Sequence, residues 1–106
     1  MIRKAFFMKV RPGMIDEYRR AHNPIPDELA HTLKEHGISN YSIFHHPESD
    51  VLCGYLELAD PQLLTHLAEH ECCQAWWRRM CAYLETATPD AEKAREEEMT
   101  EVFHLA

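Results

Sequence analysis

Along residues 2–10, apolar side chains fall on alternate positions, with Phe6, Met8 and Val10 on one side. That period of two is what a strand with one buried face requires. Arg11-Pro12-Gly13 breaks the pattern. Over residues 14–22 the period becomes helical: Met14, Tyr18, Ala21 and His22 share a face, while Asp16, Glu17, Arg19 and Arg20 lie mostly opposite. Asn23-Pro24 ends this helix, because the residue before a proline is pushed out of the helical region. A second helix opens at Pro24 or Pro26, with Asp27 and Glu28 at its positive end. It presents Leu29 and Leu33 and stops at Gly37.

Residues 38–46 alternate again, with Tyr41, Ile43 and His45 set against Asn40, Ser42, Phe44 and His46. A turn over 47–50 and a strand over 51–58 make a hairpin. Asp60-Pro61 predicts a helix start, a capping side chain followed by a proline at the first helical position. Helix continues to about residue 85, in one or two pieces, with Cys73, Trp77, Met80 and Leu84 as its core stripe. A loop follows over 86–90. The charge run over 92–98 reads as a solvated turn or linker, and residues 102–105 as a last short strand. The order β-α-β-β-α-β predicts a single α+β domain over residues 1–106, ferredoxin-like, with an antiparallel sheet and helices on one face. The uncovered face must be buried somehow. With Phe6 and Met8 assigned to it, dimerisation through that face is the simplest solution.

Charge narrows the choice of partner. Eleven Lys and Arg against 18 Asp and Glu give −7, a balance that a phosphate backbone would repel, so nucleic acid is not an expected partner. The N-terminal stretch meets Lys9 and Arg11 too soon for a signal peptide or membrane span. Four cysteines include no C-x-x-C pair. The expectation is a cytoplasmic protein with reduced thiols and no membrane association.

Tyr18 and His22 are the first candidates for chemistry. Four residues apart on a helix, they share the face expected to point inward, where both need hydrogen-bond partners. A satisfied core histidine is the ordinary outcome; the functional one is an acid/base histidine with a tyrosine neighbour. The helix C-terminus favours its charged form and burial disfavours it, and sequence leaves that contest open. Trp76 and Trp77 point about 100° apart. Trp77 fits the core stripe, and Trp76 lies nearer the edge, at a dimer contact or as an aromatic platform for a polar ligand. Tyr41, in mid-strand, is either a packing residue or a ligand contact. His66-Leu67-Ala68-Glu69-His70 matches a zinc-peptidase pattern. A catalytic zinc needs a third ligand and a cleft, and eight histidines make chance matches easy, so no metal is expected. His45 and His46 point to opposite strand faces. Three glycines leave no phosphate-binding loop.

Several stretches together resemble the L-rhamnose mutarotases: Met1-Ile2-Arg3-Lys4-Ala5-Phe6, Glu17-Tyr18-Arg19-Arg20-Ala21-His22-Asn23-Pro24-Ile25, Asn40-Tyr41-Ser42-Ile43, Cys73-Gln74-Ala75-Trp76-Trp77 and Glu101-Val102-Phe103-His104-Leu105. The resemblance covers nearly the whole chain. It implies a ferredoxin-like domain paired into a homodimer of the dimeric α/β-barrel type, interconverting the anomers of L-rhamnose without metal or organic cofactor. It also implies that His22 is the catalytic acid and that Tyr18, Tyr41, Trp76 and Trp77 contact the sugar. The chain carries Pro26 where members often carry tryptophan, and Thr88-Pro89-Asp90-Ala91-Glu92-Lys93 in place of an Asn-Pro-Asp-Asn-Ser-Pro loop. A related deoxy-sugar is therefore the alternative substrate. A small oxygenase, a non-catalytic sugar-binding dimer and a zinc protein are the alternative functions.

Overall fold

A computed structural model describes residues 1–106. Eight elements follow in the order β1 (Ile2–Lys9), α1 (Ile15–Ala21), α2 (Asp27–Glu35), β2 (Ile38–His46), β3 (Val51–Leu58), α3 (Gln62–Ala68), α4 (Glu71–Met80) and β4 (Glu97–Met99). The strands form one antiparallel sheet in the order β2-β3-β1-β4, the arrangement expected of a ferredoxin-like domain. The expected turn signals operate. Gly37 takes the left-handed conformation (φ +76°) at the end of α2, and the Asp60 carboxylate accepts a hydrogen bond from the Gln62 amide at 2.9 Å. The long helical stretch divides into α3 and α4, with the His70 ring at the N-cap of α4 accepting from the Cys72 amide.

One face of the sheet packs on the helices. Phe6, Met8, Val10, Leu52, Leu56 and Leu58 from the strands meet Tyr18, Ala21, Leu29, Leu67, Cys73 and Met80 in one buried cluster. Phe6 stands opposite Gly54 in the β1–β3 register, and its ring lies where a Cβ on Gly54 would be only 2.4 Å away. A side chain at residue 54 would displace that ring. The assignment of Phe6 and Met8 to the uncovered face is therefore corrected: both are buried beneath the helices. By alternation the uncovered face carries Ala5, Phe7, Phe44, Cys53, Tyr55 and Met99.

The C-terminal region also departs from expectation. The last strand lies at Glu97–Met99, overlapping the end of the charge run read as a turn or linker, while residues 102–105 have no strand pairing and are exposed. Backbone pairing with β1 at Ala5, Phe6 and Phe7 places this strand. It is a short, charged edge strand, a common device against further strand addition.

Candidate active site

Two features bring the sequence candidates together. The first is the end of α1. Tyr18 is buried, and one turn later His22 closes the helix. Their rings lie 4.2 Å apart between centroids, tilted by 41°, and the His22 ring meets Trp76 edge-on at 5.0 Å. His22 Nδ1 lies 2.8 Å from the Tyr18 carbonyl oxygen. A carbonyl only accepts, so Nδ1 carries the hydrogen in either protonation state. Nε2 remains as the nitrogen that can exchange a proton. Burial is the main influence on the ring and lowers its pKa from 6.5; the bond to the Tyr18 carbonyl opposes this and nearby Arg79 adds to it. The contest left open by sequence thus goes to burial.

The second feature is a bulge in β2. Ser39 pairs with Glu57 and Ser42 with Tyr55, so Asn40 and Tyr41 together stand opposite Leu56. Asn40 takes a left-handed conformation (φ 49°) there, which asparagine tolerates better than most residues. In an unbroken ladder Tyr41 would face Tyr55 on the uncovered side of the sheet. The extra residue turns it to the helix side, where its ring meets Phe6 edge-on at 6.2 Å. About 40 % of Tyr41 remains open to solvent. Burial nevertheless raises its pKa and that of Tyr18, and the charge of Glu96 adds to both. Both hydroxyls stay protonated at neutral pH.

These groups border a cleft of about 650 Å³. Tyr18, His22 and Arg19 enter from α1, Leu29 and Leu33 from α2, Tyr41, Ile43 and His45 from β2, and Trp76 from α4. A smaller recess of about 60 Å³ shares Tyr18, His22, Tyr41, Ile43 and Trp76 and adds Trp77, Lys93 and Glu96. The structure thus brings together Tyr18, His22, Tyr41 and Trp76 at the cleft. Trp77 lines only the recess, half-buried rather than fully in the core. Arg79 lies 5.3 Å from the Trp76 ring centroid, and Lys93 4.6 Å from that of Trp77. Lys93 and Glu96 were missed in the sequence because they sit within a charge run broken only by Ala94. The only available signal was the alternation of residues 96 and 98, meaningful once that run is known to lead into a strand.

The zinc-peptidase pattern does not survive as geometry. His66 lies in the last turn of α3 and His70 caps α4, so the helical spacing needed for joint chelation is lost. The His70 ring instead lies edge-on to His36 at 6.1 Å. His45 Nε2 is 3.1 Å from Asp50 at the hairpin turn.

The fold agrees with comparison to known proteins. The family model described as L-rhamnose mutarotase matches residues 3–105. Curated L-rhamnose mutarotases from Opitutus terrae and Tolumonas auensis are similar to the chain at 45 % and 42 % identity, covering 99 % and 100 % of both partners respectively. The crystal structure of an L-rhamnose mutarotase from Formosa agariphila superposes with a TM-score of 0.88 at 29 % identity over the full length of both chains. A putative antibiotic biosynthesis monooxygenase from Nitrosomonas europaea, 10 % identical and covering 97 % of this chain and 100 % of its own, shares the fold with a TM-score of 0.63. Matched from end to end in both sequence and structure, the chain belongs to the L-rhamnose mutarotase family.

Proposed function

We infer that the protein interconverts the α and β anomers of L-rhamnose by opening and reclosing the pyranose ring. The observation that carries this reading, given the family, is the convergence of Tyr18, Tyr41, Trp76 and a His22 with one free ring nitrogen on a single cleft.

Ring opening requires a proton delivered to the ring oxygen and one removed from the anomeric hydroxyl. His22 is the acid, acting through Nε2. Its lowered pKa makes the imidazolium a stronger donor toward a weakly basic ether oxygen, although less of it is present at neutral pH. The Tyr18 and Tyr41 hydroxyls and the indole N–H groups of Trp76 and Trp77 hold sugar hydroxyls. The aromatic faces cover the apolar C–H side of the ring. Leu29, Leu33 and Ile43 give the cleft an apolar wall suited to a methyl-bearing deoxy-sugar. A placed acid/base group supplies about 10²–10⁴-fold, equivalent to about 3–5 kcal/mol of barrier. That is a modest demand for a reaction that already proceeds in water.

The reading extends to a homodimer. The uncovered sheet face presents Phe44, 66 % exposed, beside Phe7, Cys53 and Tyr55, and the C-terminal Val102, Phe103 and Leu105 are 94 %, 78 % and 80 % exposed. A second copy of the chain is the simplest cover for this much apolar surface. No helix is long and apolar enough to cross a membrane. A cytoplasmic location agrees with four cysteines in the thiol form.

The test is anomer exchange of L-rhamnose by NMR saturation transfer. Wild-type protein accelerates exchange, and His22→Ala loses about 10²–10⁴-fold of that acceleration while keeping its circular dichroism spectrum. Folded wild-type protein without acceleration would overturn the reading. Faster exchange of another deoxy-sugar would move the substrate and leave the chemistry in place.

A further inference from the structure

Ring opening with His22 as acid leaves the anomeric hydroxyl without a base. Tyr18 and Tyr41 are poor candidates, since burial holds both in the protonated form. The indoles are donors only. Arg19 and Lys93 are cations, and the Asn23 side chain donates to the Arg19 carbonyl at 2.8 Å. His45 is engaged with Asp50. Among the residues bordering the cleft and its recess, one carboxylate remains: Glu96.

Its position follows from the backbone. Glu98 pairs with Phe6 and Glu97 with Phe7. Phe6 faces the helices, so Glu98 does too, and Glu96, two residues away, projects to the same side. The segment is held there by the Arg95 amide donating to the Glu85 carbonyl at 2.9 Å and by Lys93 over Trp77. We propose that Glu96 is a further catalytic residue, the base that works opposite His22; this rests on the mutarotase reading above.

The step balances. The Glu96 carboxylate takes the proton of the C1 hydroxyl as the C1–O5 bond breaks and O1 becomes the aldehyde oxygen. The His22 imidazolium delivers its Nε2 proton to O5. After rotation about C1–C2, O5 adds to the other face of the carbonyl. The neutral imidazole takes back the O5 proton, and the Glu96 carboxyl returns its proton to O1. Both groups end as they began, and neither oxidant nor reductant is consumed.

The experiment measures L-rhamnose exchange over a concentration series for wild type, Glu96→Gln, Glu96→Ala and, as a control, Glu92→Gln in the exposed loop. Glu96→Gln is expected to lower kcat by about 10²-fold with KM little changed, the split that marks loss of a transition-state interaction. Added formate should restore part of the rate to Glu96→Ala and none to His22→Ala, an effect that a merely structural carboxylate would not produce. Glu92→Gln should match wild type. Full kcat in Glu96→Gln, a loss confined to KM, or a folded Glu96→Ala variant that formate does not rescue would each overturn the assignment of Glu96 while leaving mutarotation intact. Absence of exchange in wild type would instead remove the reading on which it rests.

Discussion

Phe6 and Phe7 are neighbours in the chain and belong to different regions of the molecule. Phe6 is buried against Gly54 and meets Tyr41, so it supports both the core and the site. Phe7 points to the uncovered side, toward Phe44 and Cys53 in the register. The helix side carries His22, Tyr18 and Tyr41, whose proton affinities are shifted chiefly by burial. The open side has a polar margin, where Tyr55 donates to Glu57 at 2.9 Å and Asn40 donates to it at 3.0 Å. Both bonds hold the Glu57 carboxyl below its usual range. Its centre is apolar. One side is covered by the chain's own helices and the other is left open.

Substitution on each side should therefore break different properties. Phe6→Ala is expected to cost about 3–5 kcal/mol, the usual range for a buried aromatic, read by urea denaturation. It should also weaken exchange by loosening Tyr41. Phe44→Glu should leave secondary structure intact and convert a dimer into a monomer by light scattering at micromolar concentration. A Phe44→Glu variant that keeps twice the chain mass would place the dimer contact elsewhere, on the exposed tail alone.

The same contrast explains what the sequence made legible. Strand and helix positions followed from period and turn chemistry, because each covered element carries an apolar stripe that only one period satisfies. Phe6 and Met8 were placed on the wrong side of the sheet because alternation says which residues share a face and not which face the helices cover. The C-terminal strand was missed for a different reason. Glu97–Met99 pairs through its backbone and carries a single apolar residue, Met99, too few to show a period. Val102, Phe103 and Leu105 imitate a strand, but residues 102–105 have no strand partner within the chain. At the cleft, residue type and spacing singled out His22, Tyr18, Tyr41 and Trp76 as candidates and left a packing role open for each; only the family resemblance implied contact with a sugar. Glu96 was not singled out, since it is an exposed carboxylate in a charged run and only the strand register shows which side of the sheet it takes.

Asn40 offers a sharper test of how the two sides are kept apart. Its left-handed backbone and the two-against-one pairing turn Tyr41 toward the cleft. Asn40→Val places a β-branched residue where φ is positive, a strain of about 1–3 kcal/mol, and removes the bond to Glu57. If the bulge relaxes into a regular ladder, Tyr41 turns to the open side. Exchange should fall mainly through KM, and the melting temperature should drop less than for Phe6→Ala. Asn40→Gly, which tolerates the same backbone, should retain most activity. Equal damage from both variants would show that the Asn40 side chain, and not its backbone conformation, holds the bulge.

The smallest effect expected is the most informative about proton transfer. Burial and Arg79 lower the His22 pKa below 6.5. With the imidazolium as donor, kcat/KM is highest below that pKa and falls as pH rises through it. Replacing Arg79 by glutamine removes a cation that disfavours protonation, so the falling limb should move to higher pH. Arg79 also lies over Trp76, and Arg79→Lys, which keeps the charge, separates the two roles. The limb should stay near its wild-type position in the lysine variant and shift only in the glutamine variant. A profile that rises with pH through the same region would instead make neutral Nε2 the base, because the Tyr18 carbonyl fixes the hydrogen on Nδ1. The direction of that limb thus assigns the proton on the one ring nitrogen that the Tyr18 carbonyl leaves free.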